Sequence, residues 1–220
     1  MRTNETNGQF VTDPSKALVN ENYSYRLRIR TGANPVGSIV FYDTIETMVD
    51  GSGNDVTAGW KGRLVGFDTS RAVSLVFDPV IYYSESLTPR SLFTHPGDWT
   101  VYQDGVTDRT KVKTVAFDLR YDVSNNEKKL DPNTVLYVDI NLKAPAAAQS
   151  TNAENEFSLE WQLMNAAGNP TGSITGLDSN RVEVEVDGIA VIPNVDLNLN
   201  IVDETRNPIT SGRAGNRTDR

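Results

Sequence analysis

Through TVLYVDINLKA, the apolar residues Leu136, Val138, Ile140, Leu142 and Ala144 share one side of an extended chain, and Asp139, Asn141 and Lys143 share the other. A two-residue period of this kind places one face in a core and leaves the other in water. The same period recurs over 23–31, 112–123, 157–165 and 180–186. Shorter strands are predicted at 10–19, 38–47, 60–67, 72–77, 80–84, 99–103 and 171–174, separated by turns rich in Gly, Asn and Asp. No stretch carries the pattern of an amphipathic helix of three or more turns. Short strands at regular spacing cover their apolar faces by stacking sheet on sheet. The predicted fold is therefore all-β: an antiparallel immunoglobulin-like β-sandwich elaborated by long loops.

Organisation along the chain follows the same signals. Residues 1–9 read as a polar lead, and 10–187 as the sandwich module, with Pro14 marking its first strand as an edge. Residues 188–220 read as a linker, the start of a following module or a disordered tail: 191–202 alternates again, and 207–220 is rich in Gly, Ser, Arg and Asn. Of the 220 residues, 38% are hydrophobic and 23% charged, enough apolar material for a core. A net charge of −8 argues against nucleic acid as a partner, because grip on a phosphate backbone needs concentrated Lys and Arg. The chain has no cysteine, so disulfides, thiolate metal sites and cysteine nucleophiles are excluded. No apolar run is long enough to span a bilayer, and MRTNETNGQF lacks the apolar core of a signal peptide. Any signal and anchor are expected outside this stretch.

In order, the segments YSYRLRI, IVFYDTIE, AGWKGRLVGFD, DPVIYYS, VKTVAFDLRYD, LDPNTVLYVDINLKAP and SNRVEVEV resemble the β-sandwich repeat or stalk modules of Gram-positive cell-wall-anchored adhesins and pilin-like surface proteins, of the collagen-adhesin type. The resemblance runs over about 11–186. It implies a secreted, non-enzymatic module at the bacterial cell surface, with neighbouring modules of the same polypeptide as partners, a host glycan or protein as a further ligand, and no cofactor. Such modules often carry a spontaneous isopeptide bond between a Lys of the first strand and an Asn of the last, with a buried acid as proton shuttle. The chemistry needs burial to hold the amine neutral and the carboxyl protonated.

Strand phase selects candidates for that bond. Asp43 is in register with Ile39 and Phe41, Asn180 with Val182 and Val184, and Lys16 with Leu18. Structural readings stand beside these: Asp43 as a turn cap, Asn180 as part of the turn LDSN, and Lys16 at an exposed edge. The family's lysine usually precedes Gly and an acid, where this chain has Asn20-Glu21. Trp60 and Trp99 open strands after loops and could form a sugar-stacking platform or simply lid the core, whereas Trp161 shares the phase of Leu159 and is read as core. Asp50, Ser52, Asn54 and Asp55 have oxygen-ligand spacing for calcium, but Asp55 and Lys61 replace the Gly and Glu of the helix-flanked loop, and a solvated hairpin turn accounts for them as well. His95, in FTHPGDW, has no nucleophile elbow near it and reads as a turn residue. The competing functional readings are a carbohydrate- or host-ligand-binding module and an accessory domain of a secreted enzyme.

Overall fold

The structure is a computed structural model that describes residues 2–4, 10–11, 15–147, 149–165 and 167–187. Met1–Gly188 forms one compact unit. Residues 188–220, with the linker or tail expected there, lie outside the described residues, as do most of residues 1–9.

The chain opens with β1 (Arg2–Asn4), β2 (Phe10–Val11), β3 (Ser15–Leu18), β4 (Asn22–Arg30), β5 (Val36–Thr44) and β6 (Arg63–Asp68). A one-turn helix α1 (Ser70–Ser74) precedes β7 (Val80–Ser84), β8 (Thr100–Val101), β9 (Thr114–Leu119) and β10 (Lys129–Leu130). The last strands are β11 (Val135–Lys143), β12 (Ala153–Asn155), β13 (Phe157–Leu163), β14 (Thr175–Asp178) and β15 (Val182–Asp187). One sheet runs β2-β1-β4-β11-β6 and a second runs β14-β13-β5-β9-β7-β8, with β10 also on β5. A third, small sheet runs β12-β15-β3. The architecture is the all-β sandwich that the alternation predicts.

The core lies where the alternating segments meet. Tyr23, Tyr25 and Leu27 of β4 pair in register with Leu142, Ile140 and Val138 of β11, and all six are buried. Phe41, Phe117, Leu119, Phe157 and Leu159 supply the facing layer, and Ala17, Val182, Val184 and Val186 of the small sheet join the same cluster. On the outer face of β4 and β11, Arg26 makes a two-pronged bond to Asp139 at 2.8 and 2.7 Å, opposite it in register. The guanidinium lies between the Tyr137 and Phe10 rings, 3.7 Å from each centroid.

Two of the expected strands differ in the structure, and β10 and β12 form where no strand is expected. The strand expected at 72–77 is instead α1 and its exit turn. The Asp68 carboxylate accepts the Ser70 N–H at 2.8 Å and starts the turn, Ala72 and Phe77 are buried, and Val73 is 56% exposed, so the alternation there is accidental. The last hairpin strand lies at Thr175–Asp178 rather than 171–174. Among the described residues, every strand pair is antiparallel except one: β15 runs parallel to β3, with Val184, Glu185, Val186 and Asp187 opposite Ser15, Lys16, Ala17 and Leu18. Among the described residues, no helix is long and apolar enough to cross a membrane.

Candidate functional site

A buried polar network forms where β5 ends. Asp43 occupies the last inward position of that strand and is 1% exposed. Three residues on, Glu46 adopts a left-handed backbone (φ 46°), and its side chain is fully buried. The Tyr23 and Tyr25 hydroxyls donate to Glu46 Oε1 at 2.5 and 2.8 Å, and the Gly62 N–H donates to Oε2 at 2.5 Å. Only glycine fits at 62, since a Cβ there would sit 2.1 Å from the Tyr23 hydroxyl oxygen. Asn155, the last residue of β12, joins the two acids. Its Oδ1 accepts the Glu46 N–H at 3.0 Å, and its Nδ2 donates to the Asp43 carboxyl at 3.0 and 3.3 Å.

Burial dominates the electrostatics here. It pushes the Glu46 carboxyl up to about 7 even though both tyrosine hydroxyls and the Gly62 N–H favour the ionised form. Burial likewise raises Asp43 well above the usual carboxylate range against the pull of Asn155, with the nearby Glu46 adding to the rise. Tyr23 and Tyr25 are held well above the usual phenol range, first by burial and then by the Glu46 charge. The arrangement ties β4, β5, β12 and the 60–62 segment through satisfied polar contacts in a dry interior.

Of Lys16 and Asn180, the expected bonding pair, and Asp43, the expected proton shuttle, only Asp43 belongs to this network. Lys16 points outward: its neighbours Ser15 and Ala17 are the buried residues of β3, and its amine pairs with Glu185 at 3.5 Å. The phase assigned from Leu18 is off by one residue. Asn180 is exposed in the turn before β15, where its Nδ2 donates to the Arg181 carbonyl at 3.3 Å. The structure therefore does not bring the amine and the amide to Asp43. Asn155 and Glu46 were missed by the sequence reading. Asn155 lies between the strands expected at 134–144 and 157–165, and Glu46 lies within the strand expected at 38–47, which ends in the structure at Thr44.

Trp60 and Trp99 offer no open ring face, since each is 7% exposed. Trp60 packs edge-on against Tyr23, with ring centroids 5.5 Å apart. Trp99 packs with Tyr42, Leu92 and Val40 and donates its Nε1–H to the Arg90 carbonyl at 2.8 Å. Trp161 is partly buried against the core. His95 sits at the start of a short 3-10 turn, with its Nδ1 2.8 Å from the Thr94 hydroxyl.

The Asp50 loop is a hairpin turn used three times. Asp50 Oδ1 accepts the N–H groups of Ser52 and Asn54 at 2.8 and 2.9 Å, and Asp122 does the same for Ser124 and Asn126 at 2.9 and 3.0 Å. Asn165 accepts the Asn169 N–H in the third copy. Each turn has a left-handed fourth residue: Gly53, Asn125 and Gly168. Those bonds draw the Asp50 carboxyl below its ordinary value. Asp55 is held at about 2, chiefly by the Lys61 amine 2.5 Å away, which stands where a cation would compete. Among the described residues, no group of three or more His, Asp or Glu side chains is placed to hold a metal ion.

No protein-family model and no curated protein matches this chain. Among solved structures it is similar to domains D2 and D3 of the major pilin SpaD from Corynebacterium diphtheriae, at 14% identity and a TM-score of 0.35, over 76% of this chain and 47% of that one. It is also similar to BcpA, the major pilin subunit of Bacillus cereus, at 13% identity and a TM-score of 0.34, over 78% of this chain and 37% of that one. A family 123 glycoside hydrolase from Clostridium perfringens is similar at 10% identity and a TM-score of 0.27, over 79% of this chain and 22% of that one. The chain spans about half or less of the length of these proteins.

Proposed function

We propose that this chain is a non-enzymatic, tension-bearing β-sandwich module of a bacterial surface protein, joined to neighbouring modules of the same polypeptide. The observation that carries the reading is the parallel pairing of β3 with β15, the first and last strands of the described sandwich after the short β1–β2 hairpin. Once the short β1–β2 pairing has given way, tension enters β3 at Ser15 and leaves β15 at Asp187. In a parallel pair those ends lie at opposite ends of the ladder, so pulling slides one strand along the other and loads the four residue pairs together. An antiparallel terminal pair with both ends on one side would instead unzip one bond at a time. Ala17 and Val182, Val184 and Val186 are buried in the main core, so sliding also drags apolar side chains through packed contacts.

The buried network supports the same reading. Glu46 and Asn155 tie β4, β5 and β12 together behind the clamp, and β12 is the other neighbour of β15. The motifs from YSYRLRI to SNRVEVEV agree in pointing to a surface stalk. Forced unfolding is governed by the unfolding rate, so a single-molecule pull reads the clamp directly. Ala17→Pro removes an N–H and fixes φ within the clamp, and it should lower the end-to-end rupture force. Thr175→Pro, at the far edge of the other sheet, should leave that force unchanged. Equal loss in both variants would sink the reading.

A further inference from the structure

Strand β14 is an edge with one strand partner, β13, among the described residues, and the two faces beside it differ in character. On the inner face, Leu177 pairs with Leu159 and is 61% exposed; it borders a mostly apolar cleft of about 460 Å³ lined by Ile29, Trp161 and Leu163, with Arg28, Arg30 and Asp178 also on its wall. On the outer face, Gly176 lies opposite Glu160 and Asp178 opposite Ser158. That side opens into a polar groove walled by the segment 87–99 and lined by Glu156, Glu160 and Asp178. No Lys or Arg lines the groove. The nearest basic group to Glu156 is Arg181, which pairs with Glu154 at 3.0 Å and reaches Glu156 only at 3.8 Å.

Glu160 is held ready. Its Oε2 accepts both the Tyr42 and the Ser91 hydroxyl, at 2.6 and 2.7 Å, and the Tyr42 oxygen is fixed in turn by the Leu92 N–H at 3.0 Å. No donor is recorded on Oε1 among the described residues. Gly176 presents no side chain between this carboxylate and the sheet edge, and a Cβ built there meets nothing within 4 Å. A strand added beyond β14 would lie about 10 Å from β13, twice the interstrand spacing. A long basic side chain and Glu160 together close that distance across Gly176.

We infer that the β14 edge binds an extended peptide of another protein by strand addition, and that the peptide alternates apolar and basic residues. The main chain continues the sheet, apolar side chains enter the cleft beside Leu177 and Trp161, and Lys or Arg side chains on the other face reach Glu160 and Asp178. Alternation matters because the apolar and acidic surfaces lie on opposite faces of one strand. Self-pairing of two β14 edges places Asp178 and Glu160 of each copy near those of the other and is opposed by like charge.

Fluorescence anisotropy with a labelled, end-capped synthetic peptide of alternating valine and lysine tests the inference on the whole chain. The expected result is saturable binding that weakens with salt and falls about tenfold or more in Glu160→Gln and in Asp178→Asn. Asp178 is exposed, so its variant keeps the test independent of folding. A peptide of the same composition in two blocks, and one of alternating valine and glutamate, should each bind at least tenfold more weakly. Equal binding of either control, or unchanged affinity in both variants, overturns the inference, as does self-association of the chain through β14 with no peptide bound.

Discussion

Burial moves the Glu46 carboxyl well away from its ordinary state. Its folded carboxyl is raised from 4.5 to about 7, so the fold holds the proton more tightly than the unfolded chain does. Stability from this group is therefore fully present below about pH 4.5, is lost as pH rises toward 7, and is flat above that. The loss is on the order of 3 kcal/mol, and Asp43, raised in the same direction by burial, adds to it. Urea unfolding followed from pH 5 to pH 8 should show the decline, and Glu46→Gln, neutral throughout, should remove most of it. A flat wild-type profile would contradict the burial argument. At this scale the sequence was partly legible. The phase of Ile39 and Phe41 carried through to Asp43, which is buried, but it failed for Lys16, because β3 is only four residues long and its inward positions are Ser15 and Ala17. The same phase failed for Asn180, which lies two residues before its strand begins. Residues placed by a chain reversal, such as Glu46, leave no periodic trace.

Strands carried by a long two-residue period were readable almost to their ends: β4, β11 and β13 match the alternation because one face of each must be dry. The helix α1 and the short β10 and β12 were not, because two to five residues cannot distinguish one period from another. The three hairpin loops at Asp50, Asp122 and Asn165 are the clearest local rule in the molecule. Each uses an Asx residue to accept its own loop's N–H groups and a fourth residue with positive φ. Alanine at the fourth position must adopt a left-handed backbone, which costs about 1–2 kcal/mol. Gly168→Ala should lower the unfolding free energy by about that amount, whereas Asn125→Gly should leave it level or raise it slightly. Thermal denaturation of the two variants checks the pair. If Gly168→Ala is silent, the positive φ at 168 is not what shapes the turn.

For the molecule as a whole, what the sequence could not express is the order of strands in space. Alternation predicts strands over 10–19 and 180–186, yet nothing in either segment says that they pair, or that they run parallel. That pairing comes from the closure of the sandwich, and it turns the two ends of the module into a clamp. Such a clamp makes the module mechanically anisotropic rather than uniformly strong. Because the chain contains no cysteine, engineered cysteines give unique attachment points. Pulling through Thr12→Cys and Gly188→Cys shears β3 against β15, whereas pulling through Asn133→Cys and Thr31→Cys, at one end of the paired β4 and β11, peels that ladder bond by bond. The decisive measurement is the rupture force along these two directions on the same protein: a terminal shear clamp requires a clearly higher force through β3 and β15, and an equal or lower force there would overturn it.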